Sequence, residues 1–152
     1  MSLNANCLRI GLLVLAVADT TTAQSTDSHV TVADREYAAV FSHNEAPCAK
    51  QSTTATYEQC IRKEVEFTET HMNAFLAAVR GVVADENGKE LELLNKADLA
   101  WRDYKKNLCA LQYAGFEGGS GAASVQMECV YRTERQYVQQ VADAVSLRIL
   151  AK

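Results

Sequence analysis

Proline is almost missing from this chain: Pro47 stands alone among 152 residues, and glycine is held to seven. So few helix breakers and turn formers argue against a body of many short strands, and Ala, Leu, Glu and Lys are plentiful in their place. Sustained period-two alternation is absent as well, which excludes a sheet as the main element. Charge is balanced at −4 with no concentrated basic surface, so nucleic acid is not an expected partner. Long hydrophobic runs are lacking too. The longest, Ile10–Ala18, covers about 14 Å as a helix, against about 30 Å for a bilayer core. It predicts no stable membrane span.

What that run does resemble is an export signal. Arg9 precedes it and the small polar stretch Thr20-Thr21-Thr22-Ala23 follows, so residues 1–23 are expected to be a secretory signal peptide cut after Ala23, or after Ala18. Cys7 lies before the apolar run and is therefore not placed to carry a lipid. Cleavage removes one base, Arg9, and one acid, Asp19, leaving the net charge at −4. Residues 24–47 then form a polar N-terminal arm, rich in Ser, Thr and Asp, with a short helix-compatible stretch from Asp34 to Phe41 and an end at Pro47. Residues 48–150 form the folded domain.

Four cysteines remain after residue 23: Cys48, Cys60, Cys109 and Cys129. An even number in a small exported domain implies two disulfides, for which three connectivities exist. Pairing of sequence neighbours, Cys48–Cys60 and Cys109–Cys129, would staple the arm to the first long helix and the second long helix to the third. No C-x-x-C spacing supports a metal or redox site, and no metal or cofactor is expected.

Three long amphipathic segments follow the arm. The first opens near Thr56-Tyr57-Glu58-Gln59, which matches a capping box. Ile61, Val65, Thr68, Met72, Phe75, Val79 and Val82 then recur at steps of three and four, a single apolar stripe. Asp85-Glu86-Asn87-Gly88 has turn chemistry and ends it. The second carries Leu91, Leu94, Asp98, Trp101, Lys105 and Leu108, flanked by Ala97 and Tyr104. Because two of those stripe positions are charged, its buried seam is expected to lean towards Ala97 and Tyr104. Trp101, Tyr104, Leu94 and Phe75 are the expected core. The third runs from about Ala122 to Leu150, with Val125, Cys129, Val130, Tyr137, Val138, Val141, Val145 and Leu147 on its apolar side. Three such helices with short connections predict an all-α antiparallel three-helix bundle.

Catalytic patterns are thin. His29, His43 and His71 sit in no nucleophile-elbow context. Glu64, Glu66 and Glu69 have the spacing of a solvated helix face rather than of two acids facing each other across a cleft. Gly118-Gly119-Ser120-Gly121 lacks the preceding strand and following lysine of a phosphate loop; a tight reversal capped by Ser120 fits it better. The chain therefore reads as a binding protein and not an enzyme, with no catalytic residue expected.

The order of these features resembles a known family. The Cys48–Cys60 pair around a threonine run is followed by Leu94-Asn95-Lys96-Ala97-Asp98-Leu99-Ala100-Trp101, then Cys109, Gly118-Gly119-Ser120, Cys129 and a Thr133/Arg135 pair. This is similar to the LprI-type lysozyme-inhibitor domain of bacterial exported proteins, over about residues 48–140. Asp98 stands where the family tends to have glutamine, and Lys105-Lys106 follows Tyr104 where it tends to have Arg-Asp. The resemblance implies a periplasmic or secreted protein whose partner is lysozyme or another envelope protein, acting sterically on a wall-degrading enzyme. The rival expectation is a structural or envelope-stress accessory protein with no enzyme target. Loops on rigid scaffolds commonly carry recognition, so Phe116, Glu117, Gly118, Gly119 and Ser120 are the expected partner contact.

Overall fold

A computed structural model describes residues 21–84, 88–116 and 119–149. Most of the expected signal peptide, the Asp85–Asn87 turn, and Glu117 and Gly118 of the expected contact loop lie outside them. Four helices make up the fold: α1 (Thr21–Val40), α2 (Thr54–Ala84), α3 (Gly88–Ala114) and α4 (Ala122–Ile149). No strand occurs among the described residues, and both disulfides pair sequence neighbours, Cys48–Cys60 and Cys109–Cys129. The all-α class and the two staples are as the sequence implied.

The arm is more regular than expected. In place of a short stretch from Asp34, α1 begins at Thr21 and joins the bundle as a fourth helix. Ala33 and Val40 are buried in the main core, Val32, Tyr37 and Phe41 pack against it, and particular contacts with α2 complete the docking. Glu36 reaches His71, and the His29 ring lies against Gly81. A Cβ at Gly81 would come within 2.6 Å of that ring; only glycine lets the two helices approach so closely there.

The start of α2 also differs by one turn. Thr53 caps it: Thr53 Oγ1 accepts from the Thr56 amide at 3.2 Å, and Thr56 Oγ1 accepts from the Thr53 amide at 3.3 Å. This is a capping box with threonine in both roles, and it places the cap three residues before the Thr56 expected from sequence.

Side-chain pairs give the register. Arg80–Asp98 and Asn73–Arg102 run α3 back along α2, while Cys109–Cys129, Lys105–Glu134 and Trp101–Tyr137 run α4 back along α3. The helices α2 and α4 occupy the centre, with α1 on α2 and α3 chiefly on α4. The main core joins Met72, Phe75, Leu76 and Val79 of α2 to Trp101, Tyr137, Val138 and Val141, with Leu94 packed at its edge. A second, smaller core gathers Ile61 and Tyr131 around the Cys48–Cys60 staple.

Candidate functional site

The seam of α3 stays on its charged stripe. Asp98 is buried and receives Arg80 Nη2 at 2.7 Å, with Arg102 Nε 3.2 Å away. Lys105 Nζ donates to Glu134 Oε1 at 2.6 Å and lies 4.8 Å from the centre of the Trp101 ring. Trp101 stacks on Tyr137 at 4.2 Å and 8° between planes. Pairing replaces part of the water these charges lose. The expected lean towards Ala97 and Tyr104 does not occur: both face solvent, and Tyr104 is 58% exposed rather than a core residue. The sequence signal for this was divided, because Arg80 and Glu134, which pair with Asp98 and Lys105, lie on other helices.

Burial shapes the titration of this centre. Glu134 is fully buried, which pushes its carboxyl above the usual range, while Lys105 pulls it back. Tyr137 is pushed up to about 12, first by burial and then by the charge of Asp98. Its hydroxyl, Glu134 Oε2 and Asp98 Oδ1 find no hydrogen-bond partner among the described residues. These groups are closed off by packed helices and hold the bundle together.

A second polar chain fixes α1. His71 Nδ1 meets Glu36 Oε2 at 2.6 Å, and His43 Nδ1 meets Glu64 Oε2 at 2.5 Å, with the Phe67 ring between the imidazoles. The hydrogen bonds from His71 and Arg35 hold the Glu36 carboxyl below its usual range. Arg135 Nη1 donates to the carbonyls of Val40 and His43, at 2.6 and 3.1 Å, closing the end of α1. Tyr131 Oη donates to the Asn44 carbonyl at 2.8 Å. Of the carboxylates weighed for hydrolysis, Glu64 is held by a histidine. Among the described residues no group of three or more His, Cys, Asp or Glu is arranged to hold a metal.

The end of the bundle where α2 and α4 begin also carries the loop expected to make contact. Cys109–Cys129 ties α3 to α4 just before it. The α3 helix then closes with Gly115 donating to the Leu111 carbonyl at 3.2 Å. The turn continues through Gly119 N to the Phe116 carbonyl at 2.8 Å and Ala122 N to the Gly119 carbonyl at 2.9 Å. A Cβ on Gly119 would sit 3.2 Å from the Phe116 carbonyl, so glycine suits this tight reversal. Phe116 is 50% exposed and Tyr113 42% exposed, while Gly119 and Ser120 are also on the surface. Tyr113 was not singled out from sequence, since it lies off the apolar stripe like many surface tyrosines. Just behind the loop, Ser124 Oγ donates to Glu58 and Tyr57 Oη donates to Glu128, anchoring the start of α2 to α4.

The family model described as lysozyme inhibitor LprI matches residues 46–141. That span takes in both disulfides, the Trp101 centre and the exposed loop, and leaves α1 outside it. Comparison with curated proteins and with solved structures finds no match.

Proposed function

The chain belongs to the lysozyme inhibitor LprI family, and from that premise we propose that it is an exported binding protein that blocks a wall-degrading lysozyme by covering its cleft. Phe116 and Ser120, with Tyr113 beside them, form the contact. The observation that carries this reading is the placement of two half-exposed aromatic rings on a turn stapled by Cys109–Cys129. Aromatic side chains supply much contact area for little entropy, and the disulfide and the Gly119 turn limit the ordering cost of binding. The acidic balance of −4 favours approach to a basic enzyme and acts mainly on the encounter rate. The two disulfides suit an oxidising compartment and support export to the periplasm or the medium; no described helix is long and apolar enough to cross a membrane.

The test is lysozyme digestion of cell walls in the presence of the purified protein. Lysis slows in a saturable manner, and Phe116→Ser weakens the effect about tenfold or more, the loss expected for one buried aromatic anchor. An unchanged lysis rate at saturating protein removes the proposal and favours an envelope protein with no enzyme target.

A further inference from the structure

Helices α1 and α4 both pack on α2 but scarcely on each other, and a cleft of about 250 Å³ remains between them. Phe75, Val79 and Val82 of α2, all buried, form its floor. Val30 and Ala33 of α1 make one wall, and Ala142 and Val145 of α4 make the other. Tyr37 closes one end: its hydroxyl donates to Gln139 Oε1 at 2.5 Å, and Gln139 Nε2 donates to Asp143 Oδ1 at 2.8 Å. From Tyr37 back to Val30 the slot runs about 10 Å along α1. The charged groups on its rim are of one sign. Asp34 lies one turn from Tyr37, and Asp143 one turn from Gln139, on antiparallel helices joined by the Tyr37–Gln139 bond. The two carboxylates therefore stand at nearly one level on opposite lips. Both aspartates are exposed, and among the described residues no Lys, Arg or His lines the cleft.

We propose that this cleft binds a small cationic amphiphile, an unbranched alkylammonium whose chain lies on Phe75, Val79 and Val82 and whose head sits between Asp34 and Asp143. Each methylene that enters leaves water for an apolar surface, while the ammonium stays at the lips in contact with solvent. The apolar floor disfavours a freely soluble ion, which would lose its water there. The paired carboxylates repel an anionic head such as that of a fatty acid. Size limits the occupant further. The volume falls below the range of about 300–1,000 Å³ usual for drug-sized ligands, so a single short chain fits and a bulky one does not. Helix α1, Ala142, Asp143 and Val145 all lie outside residues 46–141, so most of the site falls beyond the span that the family model matches. The cleft follows the second half of α2, whereas the loop of the proposed lysozyme contact stands by its start. The inference is independent of the lysozyme reading.

Isothermal titration of the purified protein with n-hexylamine and n-octylamine at neutral pH tests this, with n-octanol and octanoate as neutral and anionic counterparts. Octylamine binds saturably at one site per chain, about tenfold tighter than hexylamine, as two more buried methylenes require. Octanol binds more weakly, and octanoate more weakly still. Asp34→Asn and Asp143→Asn each weaken octylamine about two- to fivefold, the range for exposed ion pairs, and leave octanol unchanged. Ala142→Leu fills the cleft and abolishes binding of both. Should that variant fail to fold, amide shifts of the native protein on adding octylamine serve instead, and they centre on Ala33, Val79 and Ala142. No saturable binding at millimolar octylamine overturns the proposal. So does octanoate that binds as tightly as octylamine, an octylamine affinity that both aspartate variants leave unchanged, or shifts confined to another face.

Discussion

Lys105 and Glu134 form an ion pair inside the bundle, Nζ to Oε1 at 2.6 Å, with the carboxylate fully buried and the ammonium lying over Trp101. The pair joins α3 to α4 at mid-height, between the Cys109–Cys129 staple and the main core. Its energetic role is asymmetric, because a buried charge without its partner costs far more than the pair contributes.

Lys105→Met therefore destabilises the protein by about 3–5 kcal/mol, the range for breaking a buried pair on one side. The double variant Lys105→Met/Glu134→Leu recovers most of that loss, as measured by urea unfolding. The single variant has a pH signature. Burial already raises the Glu134 carboxyl, and loss of Lys105 raises it further. A folded value above the unfolded one means the penalty is absent below the unfolded value and grows as pH rises through the folded one. The deficit of Lys105→Met accordingly shrinks in acid.

Glu36 behaves in the opposite sense. His71 and Arg35 hold its carboxyl below the ordinary range, so its contribution is complete above the unfolded value and is lost as pH falls through the lowered folded value. Glu36→Gln lowers the melting temperature near neutral pH, and the gap from the native protein closes in acid below about pH 4.5. A gap independent of pH would assign the effect to packing alone.

Trp101 and Tyr104 separate cleanly. Trp101→Ala removes the ring stacked on Tyr137 and costs about 3–5 kcal/mol. Tyr104→Ala, on the exposed face, stays within about 0.5 kcal/mol when stability is read by denaturant unfolding.

That contrast marks where the sequence was legible. Stripes of α2 and α4 and the neighbouring cysteines could be read because apolar spacing and short chain separations are local properties. Thr68 and Phe75 fell on the α2 stripe and are buried. The seam of α3 was read less well. Asp98 and Lys105 looked like intrusions into an apolar stripe, yet Arg80 and Glu134, 18 and 29 residues away, make them part of the interior. Helix α1 was read only in part: Ala33, Tyr37 and Val40 recur at steps of four and three and join the main core, whereas Glu36 with His71 and His29 against Gly81, which complete its docking, pair across long separations. Of the loop expected to make contact, Phe116, Gly119 and Ser120 lie on the surface; Tyr113, which the proposed contact adds, was not named from sequence.

Both disulfides contribute about 3 kcal/mol each by loop-closure entropy, closing 12 and 20 residues. Under the proposed inhibition their functional effects are predicted to differ. Replacing Cys109 and Cys129 by serine loosens the Phe116 turn and weakens inhibition beyond what lost stability explains. Replacing Cys48 and Cys60 lowers the melting temperature and leaves inhibition by the folded fraction intact. Wall-lysis assays run well below both melting temperatures check the distinction.

Amide hydrogen exchange of the native protein with and without saturating lysozyme tests the central claim most directly. Slowed exchange concentrated in residues 111–125, with α1 unchanged, is the result this account predicts. Unaltered exchange throughout, or protection confined to α1, would contradict it.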